Sequence, residues 1–97
     1  MSFIQIIESR TKKLDEIQAL ADEYYKASEG KRTVRRSIVA RDHNDPERFF
    51  VLAFFDSHES AMENSNLPET AAFAEKQMAL VDGPPTFYDL DVIDERD

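Results

Sequence analysis

The chain has no cysteine and no tryptophan, only two glycines and four prolines, and 12 lysines and arginines against 20 aspartates and glutamates. Each shortage excludes something. Without cysteine there can be neither a disulfide framework nor a thiolate metal site, and the compartment leans to cytoplasm. So little glycine and proline argues against low complexity and disorder, and no internal repeat is visible. A formal net charge of −8 argues against binding nucleic acid by neutralising phosphates and against an anionic membrane surface. The plain reading of that charge is solubility. No apolar run approaches the length of a membrane span. The opening Met1-Ser2-Phe3-Ile4-Gln5 lacks a basic region followed by a long apolar core, so no secretory signal is expected. There is no glycine-rich phosphate loop and no dinucleotide fingerprint. Two separated histidines and helix-surface acids give no recognisable metal-ligand spacing, so no metal is expected. At 97 residues, one domain spanning 1–97 is expected.

What the chain does have is the run Phe49-Phe50-Val51-Leu52-Ala53-Phe54-Phe55, bounded by Arg48 and Asp56. Its length suits a strand, and its Phe and Val content leans the same way. Side chains alternate across a strand. Phe49, Val51, Ala53 and Phe55 share one face; Phe50, Leu52 and Phe54 share the other. Neither face is built for water. Helices can cover one face of a small sheet, and a chain of this length has little left to cover the second. A second copy of the chain, a ligand or both is the expected cover.

Around that strand the chain reads as follows. Residues 2–10 form a first strand, with Ile4 and Ile6 on one face and Phe3, Gln5 and Ile7 on the other. A buried Gln5 would need partners, which makes it a candidate pocket group or an edge residue. Leu14, Ile17, Ala21 and Tyr24 recur at helical spacing over 13–28, and Gly30 suits a left-handed cap. Residues 32–42 form a second strand with Val34, Arg36, Ile38 and Ala40 on one face. Its arginines either pair with sheet-edge acids or hold an anion by the guanidinium fork. Asp42-His43-Asn44-Asp45-Pro46 is a turn by composition. Asp56 or Ser57 caps a short helix over 57–65, with Glu59 or Ser60 completing a capping box. Pro68 opens a helix over 68–81, which Asp82-Gly83-Pro84-Pro85 stops. Residues 86–94 alternate as a last strand, with Tyr88, Leu90 and Val92 facing in and Asp89 and Asp91 facing out.

The order is βαββααβ. It gives an α+β, ferredoxin-like sandwich: a four-stranded antiparallel sheet with helices on one face. The stretch Phe54-Phe55-Asp56-Ser57-His58-Glu59-Ser60-Ala61-Met62-Glu63-Asn64-Ser65-Asn66-Leu67-Pro68, followed by Phe73, resembles the motif of the antibiotic biosynthesis monooxygenase-like family, the dimeric α+β barrels. There an aromatic strand runs into a Ser-x-Glu-x-Ala helix start, then a polar residue, a Pro and an aromatic. The resemblance implies a homodimer whose sheets pack face to face. It also implies a pocket between each subunit's sheet and its helices, lined by the third strand and the helix pair.

The chemistry implied is cofactor-independent oxygenation of a small aromatic or quinone-like compound. The substrate itself gives an electron to oxygen, and the protein binds and stabilises an enolate or phenolate. Asn64, Arg36 and Tyr88 are the candidate catalytic residues. Gln5, Phe50, Leu52, Phe54, Asn66 and Phe73 are the candidate pocket residues, an apolar wall with a few orienting polar groups. Members that oxidise polyphenols use polar and aromatic pocket residues, with Trp, Asn and Tyr prominent; this chain has no tryptophan, and where many members carry histidine after the Ala of the short helix it has Asn64. Haem-degrading members need an axial histidine on the helix pair, and His58 at the helix start is the one nearby. Three readings stand side by side: an oxygenase without metal or cofactor, a non-catalytic dimer holding a small apolar or aromatic molecule, and a scaffold whose aromatic residues fill core and interface.

Overall fold

In the computed structural model, which describes residues 2–97, the aromatic run is the C-terminal part of the longest strand. The elements are β1 (Phe3–Arg10), α1 (Leu14–Ala27), β2 (Arg36–Asp42), β3 (Asp45–Phe55), α2 (His58–Ser65), α3 (Pro68–Met78) and β4 (Thr86–Asp91). This is the expected βαββααβ order. The strands form one sheet in the order β2-β3-β1-β4, and every neighbouring pair is antiparallel.

Cross-strand partners share a face, so the register assigns the two sides. Phe3 lies opposite Phe55, Gln5 opposite Ala53, Ile7 opposite Val51 and Ser9 opposite Phe49. Phe3, Ser9, Phe49 and Phe55 are buried, and Phe3 and Phe55 pack with Ala61 of α2, Val34 and Ala53. This face therefore lies under the helices. Ile4, Ile6 and Glu8 of β1 pair with Phe54, Leu52 and Phe50 of β3 on the opposite face. β2 adds Arg36, Ile38 and Ala40 to it, and β4 adds Leu90, Tyr88 and Thr86. Among the described residues no helix covers that second side. The two-faced apolar strand read from the sequence is thus β3, with its odd-numbered side chains inward and its even-numbered ones open.

The helix side is held by packing and by caps. Phe49 is 1 % exposed and Ile17 of α1 is 5 % exposed. Burying such a side chain stabilises by about 2–3 kcal/mol. Ser57 caps α2, its hydroxyl accepting from Ser60 N at 3.1 Å, as the sequence suggests. Pro68 occupies the first turn of α3, where its missing N–H costs nothing. Gly30, with φ +79°, turns the chain after α1 in a conformation that glycine tolerates.

Three boundaries and one assignment of faces depart from expectation, each for a physical reason. β2 begins at Arg36 and not at 32. Arg32 donates from Nη1 to Tyr25 O at 2.8 Å and lies 4.3 Å over the Tyr25 ring, while Thr33 N donates to Asn64 Oδ1 at 3.0 Å. These residues are tied to the helices, and pairing with β3 starts with Arg35 N to Phe54 O at 2.7 Å. The turn at 42–46 contracts to His43 and Asn44, with β3 running through Pro46. A register shift between Arg41 and Asp42 makes a bulge there, which accommodates a residue without an N–H. α3 stops at Met78 and not at 81. Leu80 O accepts from Thr11 Oγ1 at 2.6 Å and Asp82 N donates to Arg10 O at 2.8 Å, drawing the chain to the β1–α1 junction. In β4 the inward and outward assignments reverse. Asp89 is opposite Gln5 and Asp91 opposite Phe3, on the helix side, whereas Tyr88 and Leu90 stand on the helix-free face, 42 % and 44 % exposed. β4 is an edge strand, so alternation alone does not tell which side is covered.

Candidate functional site

Two groups of polar side chains, on opposite sides of the sheet, include candidate residues. On the helix side, Asn64 of α2 is buried, 8 % exposed. Its Oδ1 accepts from Thr33 N at 3.0 Å and its Nδ2 donates to Tyr24 Oη at 3.0 Å. Tyr24 Oη also shares a hydrogen bond with Thr70 Oγ1 at 2.9 Å. One carboxamide thus links α1, α2, α3 and the approach to β2. The Phe73 ring lies 5.2 Å from that of Tyr24, and Tyr25 meets Tyr24 edge-on at 5.7 Å. A carboxamide N–H and a phenol beside aromatic rings can donate to an oxyanion on a planar ligand.

On the helix-free face, Ile6, Ala40, Phe50, Leu52 and Leu90 floor a shallow depression of about 450 Å³, rimmed by Glu8, Arg48 and Tyr88. Arg48 donates from Nε to Glu8 Oε2 and from Nη1 to Asp42 Oδ2, both at 2.9 Å. Its guanidinium lies 4.8 Å over the Phe50 ring. Tyr88 Oη donates to Glu8 Oε1 at 2.9 Å. The Arg48 bond, then that from Tyr88, lowers the Glu8 pKa below its ordinary value. The backbone N–H of Asn44, then Arg48, lowers that of Asp42. The Glu8 bond, then that to Asp42, raises the pKa of Arg48, and the Glu8 contact raises that of Tyr88.

The candidate residues divide between these two places. Asn64 and Phe73 belong to the helix-side cluster. Gln5 is on the same face of the sheet but bonds Asp89 at the β4 edge, Nε2 to Oδ1 at 3.2 Å. Asn66 is the exposed C-cap of α2, its backbone N–H bonded to Met62 O and Glu63 O. Arg36, Phe50, Leu52, Phe54 and Tyr88 lie on the helix-free face, where the Arg36 guanidinium sits 5.6 Å from the Phe54 ring centre. The sheet therefore separates Asn64 from Arg36 and Tyr88. His58 opens α2 with its ring edge-on to Phe3 at 5.1 Å, a packing role on an exposed residue. Among the described residues no three His, Asp or Glu side chains gather as a metal-ligand set.

Sequence reasoning does not single out Tyr24, Thr33 and Thr70 as site residues, nor Glu8, Asp42 and Arg48. Tyr24 and Asn64 are 40 residues apart, so no local spacing links them. Arg48 and Glu8 meet only through the β1–β3 register, which local sequence patterns do not specify.

No family model matches the chain, and no curated protein matches it by sequence. Solved structures do match it in fold. SnoaB, a cofactor-independent oxygenase from Streptomyces nogalater solved as an asparagine-to-alanine mutant, superposes with a TM-score of 0.82 at 9 % identity, over 97 % of this chain and 95 % of that one. An inferred antibiotic biosynthesis monooxygenase from Caulobacter crescentus gives 0.82 at 11 % identity, over 96 % and 91 %. One from Nitrosomonas europaea gives 0.79 at 11 % identity, over 95 % and 90 %. At such identities the likeness is one of fold, and it runs nearly end to end. The chain thus has the ferredoxin-like fold of the structures named antibiotic biosynthesis monooxygenases.

Proposed function

We propose that this protein is a homodimer that packs its helix-free sheet faces together and oxygenates a small planar aromatic compound on the helix side of each subunit. The observation that carries the reading is the part-buried Asn64–Tyr24–Thr70 cluster beside Phe73, in a fold shared with a cofactor-independent oxygenase. That oxygenase was solved with an asparagine replaced by alanine, and Asn64 is an asparagine that this chain buries among its helices. In the proposed reaction a phenol or enol loses its proton and its anion passes one electron to O2. The radical pair recombines at carbon to a peroxide, and loss of water leaves a quinone-type carbonyl. One oxygen atom enters the substrate, the other leaves as water, and the substrate supplies the electrons. Asn64 Nδ2 has one N–H engaged by Tyr24; its second N–H is the donor for the substrate oxyanion. Phe73 offers the stacking surface.

One observation favours a second reading, a dimer that binds such a compound without turning it over. Arg36 and Tyr88 stand across the sheet from Asn64, so neither joins the carboxamide cluster to steady a developing anion. The test is oxygen uptake by the purified protein with dihydroxynaphthalene- and anthrone-class compounds, run beside a binding titration. Uptake of one O2 per substrate, lost in Asn64→Ala protein that remains folded, supports the oxygenase. Saturable binding with uptake at the buffer rate sinks it and leaves the binder.

A further inference from the structure

The helix-free face carries charge unevenly along its strands. At one end Arg36 lies opposite Phe54, and Phe54 opposite Ile4. Among the described residues Arg36 has no ion-pair partner. The side chains level with it on that face are Phe54, Ile4 and Leu90. Four residues further along β2, about 13 Å at the usual strand rise, Ala40 is level with Phe50 and Glu8. There and at Asp42 two carboxylates share the single guanidinium of Arg48. Arg10 at that end is already held by Asp45 at 2.6 Å. The acidic end thus keeps a surplus negative charge and the other end an unanswered positive one, with Ile6, Leu52 and Ile38 between them.

We propose that each Arg36 pairs across the sheet-to-sheet interface with the Glu8–Asp42 carboxylates of a second copy, so that the two sheets meet with their ends reversed. This rests on the homodimer proposed above and specifies its register. A two-fold axis makes every contact occur twice: if residue i meets residue j, then j also meets i. Reversed ends answer both surpluses at once. Matched ends set Arg36 against Arg36 and carboxylate against carboxylate, in a setting where water is leaving and like charges are costly. The depression floored by Phe50 and Leu52, and rimmed by Glu8 and Arg48, receives the incoming guanidinium. Arg48 keeps its stacking on Phe50. Glu8 Oε1 and Asp42 Oδ2 each have one side-chain donor and retain acceptor capacity for another.

The test is a charge-reversal cycle read by sedimentation equilibrium. Arg36→Glu sets three carboxylates against one arginine and raises the dimer dissociation constant about tenfold or more. The double variant Glu8→Gln with Asp42→Asn frees the Arg48 charge to oppose Arg36, with a rise of the same order. The triple variant, carrying all three changes, again sets opposite charges face to face, now a carboxylate at position 36 against the freed Arg48. Its constant returns to within about threefold of the parent. Effects that simply multiply in the triple variant overturn the pairing, as do two reversals that leave the constant unchanged. A parent chain that is monomeric refutes the dimer itself, a separate outcome. Should a variant lose its circular-dichroism spectrum, the parent still decides. Raising salt from about 0.05 M to about 0.5 M weakens a dimer registered by this pairing, and a flat response overturns it.

Discussion

Replacing Asn64 with alanine is expected to cost about 2–4 kcal/mol of folding stability. The side chain accepts from Thr33 N and donates to Tyr24 Oη, both at 3.0 Å, from a position 8 % exposed. Alanine leaves the Thr33 N–H without that acceptor, a desolvation penalty of about 1–3 kcal/mol, and removes a side-chain bond worth about 1 kcal/mol. Tyr24 keeps only Thr70. For a domain of 97 residues this lowers the melting temperature by about 8–32 °C, at about 4–8 °C per kcal/mol. Urea denaturation followed by circular dichroism reads the change as a shift in midpoint at constant slope. Tyr24→Phe serves as the companion. It keeps the ring against Phe73 and drops only the hydroxyl, so it costs less, about 1–2 kcal/mol. The Asn64→Ala, Tyr24→Phe double variant costs less than the two together, because both remove the same bond. An Asn64→Ala protein within about 0.5 kcal/mol of the parent, the usual range for a surface change, refutes the linking role assigned to this side chain. The experiment also bears on function, since lost turnover at Asn64 reports chemistry only where the variant is still folded.

Other expectations follow from the same contacts. Phe49→Ala, at a ring 1 % exposed, costs about 3–5 kcal/mol, read as a fall in urea midpoint. Ser57→Ala removes the α2 cap and costs about 1 kcal/mol by the same assay. Ser9→Ala should be neutral or slightly stabilising, because the buried Ser9 hydroxyl has no hydrogen-bond partner among the described residues and removing it removes an unmet donor. Glu8, Asp42 and Asp45 have pKa values lowered by their arginine and backbone donors. Their contribution to stability is therefore present above the ordinary carboxylate range, near pH 4, and is lost as pH falls through the lowered values beneath it. Urea midpoints measured from about pH 7 down to about pH 3 should fall at the acid end. Arg48→Met, which removes the partner of Glu8 and Asp42, should make that fall shallower.

The parts of this fold that follow from neighbouring residues can be read from the sequence. Strand alternation sorts Phe49, Val51, Ala53 and Phe55 from Phe50, Leu52 and Phe54. The Ser57 cap, Pro68 at a helix start and Gly30 after α1 are likewise local devices. What alternation cannot tell is which face the helices choose. That depends on where α2 leaves β3 and on Ala61 meeting Phe3 and Phe55, a tertiary matter. Alternation alone therefore puts Tyr88 and Asp89 on the wrong sides, and the sheet divides Asn64 from Arg36 and Tyr88, which the expected pocket chemistry places together. Arg32 and Thr33 have strand-like surroundings in the sequence, but Tyr25 and Asn64 hold them to the helices. The Asn64–Tyr24–Thr70 cluster and the Glu8–Arg48–Asp42 array are each assembled from distant segments. Every member has a bland local explanation, and only their meeting in space makes them candidates.

The helix-free face, with Ile4, Ile6, Ile38, Leu52, Phe54 and Leu90 on it, underlies the proposed dimer and the register inferred for it. Sedimentation equilibrium at micromolar concentration and neutral pH tests it most directly. A particle of twice the 11.2 kDa chain mass, reduced to a single chain by Leu52→Arg, is the predicted result. A parent protein that sediments as one 11.2 kDa chain contradicts it.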